Sequence, residues 1–77
     1  MKTMTYLEFV QDYVRIKQNN PSYRFGQHFI NLFIKEESDV AIQGLWDKTE
    51  DEAIIQIYYI IEKYQWDFNC LVVVREF

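Results

Sequence analysis

The sequence predicts a mainly α fold, a compact three-helix domain with a C-terminal β-strand. Two Thr-x-x-Glu boxes, Thr5 with Glu8 and Thr49 with Glu52, mark helix starts: the threonine caps the third helical N–H and the glutamate reaches back to the cap. Between them, Phe25, Phe29, Leu32 and Phe33 recur at the three- and four-residue steps that line one side of a helix. After Trp66 the pattern changes to Leu71–Val74, a continuous apolar run that suits a strand.

The first helix covers residues 5–18. Met4 and Phe9 stand where a hydrophobic staple places them, and Tyr6, Phe9/Val10, Tyr13/Val14 and Lys17 trace its inward stripe. Asn19-Asn20-Pro21 ends it, since Asn tolerates left-handed backbone and Pro disfavours helix in the residue before it. Helix two starts at Ser22 as its cap and runs into Lys35-Glu36-Glu37, with Ser38 and Asp39 as turn or cap residues. Gly26 lies inside it, where it costs ~1 kcal/mol against Ala. The residue is therefore read as a point of close approach by a neighbouring helix.

Residues 39–45 fit either one or two helical turns stopped by Gly44 or a short strand. The strand choice gives an α+β alternative in which 39–45 pairs with 69–75 and the third helix is the crossover. The third helix opens on Glu50, Asp51 and Glu52, which suit the positive end of its dipole. Glu52, Gln56, Tyr59 and Lys63 form its wet side; the remainder is so apolar that this helix is expected to be the central core element. The strand 69–75 needs a partner for its backbone groups, found locally or in a second copy of the chain, so a homodimer stays open.

Seventy-seven residues make a single small globular domain, which buries only ~60% of its unfolded surface. Fourteen aromatic residues compensate, because each ring buries a large area. One cysteine excludes an intramolecular disulfide, and Cys70, set among apolar residues, reads as a buried thiol. One Cys and one His leave no structural zinc set, and no glycine-rich phosphate loop is present. Neither a metal nor a cofactor is expected. With no signal peptide and no apolar run near ~20 residues, the chain reads as cytoplasmic and free of membrane. A net charge of −4 disfavours nucleic acid and suits a basic partner.

Arg24, Gln27, His28, Asn31 and Lys35 form a polar stripe on helix two. His28 has no carboxylate or nucleophile among those neighbours, so no catalytic set is expected and the chain is not read as an enzyme. The stripe either ties the helix to its surroundings or forms a recognition face. On the second reading Arg24, Gln27, His28, Asn31 and Trp46 are the partner-binding residues.

The segment Asn20-Pro21-Ser22-Tyr23-Arg24-Phe25-Gly26-Gln27-His28-Phe29-Ile30-Asn31-Leu32, with Asp39 and Trp66 beyond it, resembles a group of small phage and prophage proteins. Their core is N-P-x-x-R-x-G-Q-x-F-x-N-x-L. The likeness spans roughly residues 5–66 and rests on Arg24, Gly26, Gln27, Phe29 and Asn31; Leu45-Trp46-Asp47 replaces the group's D-P-F/Y-type segment. The group lends no activity. The resemblance implies a small accessory protein made in a bacterial cytoplasm by a phage or mobile element. The expected function is then a non-catalytic protein-binding module that modulates or inhibits a host or defence protein. The alternatives are a small DNA-binding regulator using helices one and two, and a nucleotide or metabolite module with a pocket near Arg24 and His28.

Overall fold

A two-residue clasp joins the two ends of the described chain. In the computed structural model, which describes residues 2–35 and 40–74, strand β1 (Thr3–Met4) pairs antiparallel with β2 (Leu71–Val72). Between them run α1 (Tyr6–Asn19), α2 (Phe25–Phe33), the single turn α3 (Val40–Gln43), a 3-10 turn (Gly44–Asp47) and α4 (Glu50–Lys63). The mainly α reading with a C-terminal strand is correct. The α+β alternative is not, because 40–47 is helical and the strand's partner is the N-terminal segment.

Both capping boxes form as their sequence pattern requires. Thr5 Oγ1 accepts from Glu8 N–H at 3.0 Å, and Thr5 N–H donates to Glu8 Oε1 at 2.8 Å. Thr49 and Glu52 repeat the exchange at 3.4 and 3.2 Å. These bonds satisfy N–H groups that have no partner within the helix. At the other end of α1, Asn20 keeps φ at −149°, so Pro21 ends the helix without left-handed backbone.

Ser22 is not the cap of α2. Tyr23 N–H donates to Asn20 C=O at 2.9 Å across Pro21 and Ser22, and this turn delays the helix until Arg24 is its N-cap. Residues 36–39, where the end of helix two and the next cap were expected, lie outside the described residues.

The centre of the core is α2 rather than α4. Seven of the nine α2 residues are buried, whereas α4 buries one face only, through Ala53, Ile57, Ile60 and Ile61. Ile55 on the opposite side of α4 is 71% exposed. The wet side named from the sequence holds for Glu52, Tyr59 and Lys63, which are exposed. Helix α2 is flanked by α4 and by the 3-10 turn. Gly26 permits the second contact: a Cβ there would lie 2.4 Å from the Leu45 carbonyl oxygen. Leu45 is the fully buried residue of that turn, and Trp46 beside it is 37% exposed.

Helix α4 ends in a Schellman motif. Trp66 N–H donates to Ile61 C=O at 2.9 Å and Gln65 N–H to Glu62 C=O at 3.1 Å, with Gln65 in left-handed backbone at φ 56°. Asn69 N–H then donates to Asp67 Oδ1 and Cys70 N–H to Asp67 C=O, making a tight turn out of residues expected to be strand. Cys70 is consequently exposed, not buried. Tyr6 N–H to Phe68 C=O, Val73 N–H to Lys2 C=O and Val74 N–H to Leu32 C=O extend the clasp on both sides, so the described part of the strand finds backbone partners within the chain.

Candidate functional site

The polar stripe of α2 faces α1 more than it faces solvent. His28 is fully buried, Gln27 and Asn31 are half-buried, and Arg24 and Lys35 at the two ends are exposed. The five residues singled out from the sequence therefore do not form one recognition face, because Asp12 and Tyr13 of α1 cover the middle of the stripe. His28 in particular cannot touch a partner. Its imidazole stacks on Phe9 at 5.1 Å with 6° between the planes, and the edge of Tyr23 closes it at 5.4 Å.

The network around His28 is polar at both ring nitrogens. Asn31 Nδ2 donates to Tyr23 Oη at 3.4 Å, and Tyr23 Oη lies 2.7 Å from His28 Nδ1. With that oxygen accepting from Asn31, its own proton is directed to Nδ1, leaving the imidazole proton on Nε2. Nε2 lies 3.1 Å from Asp12 Oδ2, close enough to attract but out of line for a hydrogen bond. Asp12 also pairs with Arg15. Sequence reasoning missed Asp12 because it sits on the preceding helix, at no fixed spacing from His28.

Burial pushes the His28 pKa down, and the Asp12 carboxylate only partly opposes this. The neutral ring ties α1 to α2. A stability prediction follows with a definite sign. The unfolded chain keeps an ordinary value near 6.5, so on acidification it takes up the proton before the folded state does. The His28 contribution is complete above that pH and is lost as pH falls below it, by up to ~1.4 kcal/mol per pH unit. Because His28 is the only histidine, urea melts of His28→Gln should show a flatter stability slope just below pH 6.5 than the parent. An equal slope in both proteins would remove His28 as the cause.

The open surface lies elsewhere. Helices α1 and α4 leave an apolar groove between them, about 400 Å³, with Tyr6, Val10, Tyr13 and Phe25 on one side and Ile54 and Tyr58 on the other. It continues past the stacked pair Tyr6 and Tyr58, 5.2 Å apart, into a second hollow of about 490 Å³ reaching Leu7 and Phe68. Burial, and then the neighbouring Tyr58, raise the Tyr6 pKa, so this phenol stays protonated. Leu7 at 65% and Val14 at 49% exposure stand beside the groove on α1. The sequence placed Val14 on the inward stripe; here it is rim. Isolated exposed apolar residues are ordinary, but a concave run of them with aromatic walls is the form of an interaction surface.

Arg24 belongs to a different cleft, about 350 Å³, which it shares with Lys17 and Lys48. His28 is not among the residues lining it, so the pocket expected near Arg24 and His28 exists at Arg24 alone. Among the described residues no group of three or more His, Cys, Asp or Glu is placed to hold a metal ion. No helix among them is long and apolar enough to cross a membrane. No known family model, curated protein or solved structure matches the chain.

Proposed function

We propose that this chain is a non-catalytic protein-binding module, and that its docking surface is the groove between α1 and α4. One observation carries this reading: the groove presents Tyr6, Val10, Ile54 and Tyr58 as a continuous apolar trough, with the exposed Leu7 and Val14 on its rim. A trough between two helices accepts a third, laid in by its apolar face. Glu50 lines one end, and Glu50, Asp51 and Glu52 form the first turn of α4, so a partner helix with Lys or Arg along its flank is favoured. The resemblance to small phage and prophage proteins supplies the context of this proposal. In that context the partner is a host or defence protein of a bacterial cytoplasm, which the bound chain modulates or inhibits.

The DNA-binding alternative is weakened by the seating of α2. A recognition helix must offer one face to the major groove, and α2 buries seven of its nine residues.

The test uses two surface variants, Val14→Asp and Tyr58→Asp, beside the parent in affinity capture from bacterial lysate. Both positions are exposed, so the fold should survive, and each should weaken a stoichiometric complex by about 2 kcal/mol or more if it flanks a hot spot. Recovery of no stoichiometric partner would sink the protein-binding reading. A partner retained by both variants would move the surface away from the groove.

A further inference from the structure

The cleft at Arg24 concentrates positive charge on an acidic protein. Three of the eight Lys and Arg residues line it, each from a different element: Lys17 from the last turn of α1, Arg24 from the connection before α2, and Lys48 from the connection before α4. Glu50 is the single carboxylate in the lining, so the cleft carries two net positive charges while the chain as a whole carries −4. Lys17 is held in place by its own helix: Nζ donates to Tyr13 Oη at 3.1 Å and sits 5.5 Å from the centre of that ring. The phenol partner is neutral and fixes the ammonium's position, while Glu50 across the cleft supplies the opposing charge.

We infer that this cleft binds a phosphomonoester-bearing small molecule. A phosphomonoester carries about −1.5 to −2 at neutral pH, which matches the net charge of the lining where a monocarboxylate would not. Arg24, Lys17 and Lys48 supply charge-assisted donors, and the guanidinium can grip two phosphate oxygens at once. Tyr23 and Pro21 give the cleft an apolar side for the organic part of the ligand. A volume of about 350 Å³ holds a molecule of mononucleotide size. This inference does not rest on the groove, which meets the cleft at Tyr13, Phe25 and Glu50 and takes a different kind of ligand.

The experiment is a two-dimensional amide NMR titration of the full chain at constant ionic strength. The probes are adenosine 5′-monophosphate, inorganic phosphate and, as the uncharged control, adenosine. The expected result is saturable shifts for the monophosphate confined to amides around Arg24, Lys48 and Thr49, weaker saturation by phosphate and none by adenosine. The double variant Arg24→Gln/Lys48→Gln, with neither side chain in the core, should keep the spectrum of the folded parent and bind at least about tenfold more weakly. Linear, non-saturating shifts at millimolar probe would overturn the inference. So would saturation that the double variant leaves unchanged, or adenosine binding as tightly as its monophosphate.

Discussion

Phe9→Ala should remove about 3–5 kcal/mol of stability, a large share of what a domain of this size possesses. Phe9 is fully buried and is the ring on which the aromatic core converges. Phe25 lies 5.0 Å away, Phe33 5.2 Å, Tyr6 5.8 Å and Phe29 5.9 Å, with His28 stacked on its face. Alanine is the better helix former, so α1 as an isolated helix gains from the change, and any loss is tertiary. The removed ring also uncovers one face of His28, which lets water reach the imidazole and relieves the burial that depresses its pKa. Urea melts should show a lower midpoint with an unchanged slope, and Phe9→Leu should recover most of the loss. A midpoint within experimental error of the parent would mean that α1 does not hold to the body through Phe9.

Gly26→Ala should be the second large effect, with the opposite sign to a helix-propensity argument. Replacing glycine inside an exposed helix normally gains ~1 kcal/mol. Here the new Cβ meets the Leu45 carbonyl oxygen at 2.4 Å and its carbonyl carbon at 3.0 Å, and both are backbone atoms of the 3-10 turn. Backbone cannot rotate aside as a side-chain end can. The turn must move outward, and Leu45, fully buried, moves with it. Overpacking of this kind costs about 1–3 kcal/mol, so we expect a net loss of that order by thermal or urea denaturation. Gly44→Ala is the matched control, because a Cβ there meets nothing within 4 Å. Equal behaviour of the two variants would refute the close approach at Gly26.

The sequence made the helices legible wherever the information was local. Thr5, Glu8, Thr49 and Glu52 announce their own hydrogen bonds within four residues, and all form. Gly26 was legible as a close approach because a helix interior gives glycine few other reasons to occur. What depended on tertiary placement was not. Asp12 reaches His28 only once α1 lies across α2, so which of the two readings of the polar stripe holds at His28, a tie within the fold or a recognition face, was decided by placement. Gln65 holds left-handed backbone where a glycine would have signalled the end of α4, and the turn at Asp67–Cys70 takes up Asn69 and Cys70, the first two residues of the expected strand. Helix α4 looked central because Ile54, Ile55 and Tyr58 are apolar beyond its buried face; in place, Ile55 and Tyr58 are surface. The discrepancy between hydrophobicity and burial is itself what marks the groove.

The pairing of Thr3 with Val72 has a consequence for the order in which the chain assembles. Closing a loop costs entropy that grows with the logarithm of its length, so two residues this far apart meet late if the chain between them is still random. Once the helical body has formed, that intervening chain is already compact, and the remaining closure is short. A two-residue ladder is too small to hold against this entropy by itself. The clasp therefore records the completion of folding: it forms after α2, α4 and the 3-10 turn have come together, and it is the first part to open. Its opening would free Leu71 and Val73 from the core before any long helix unwinds.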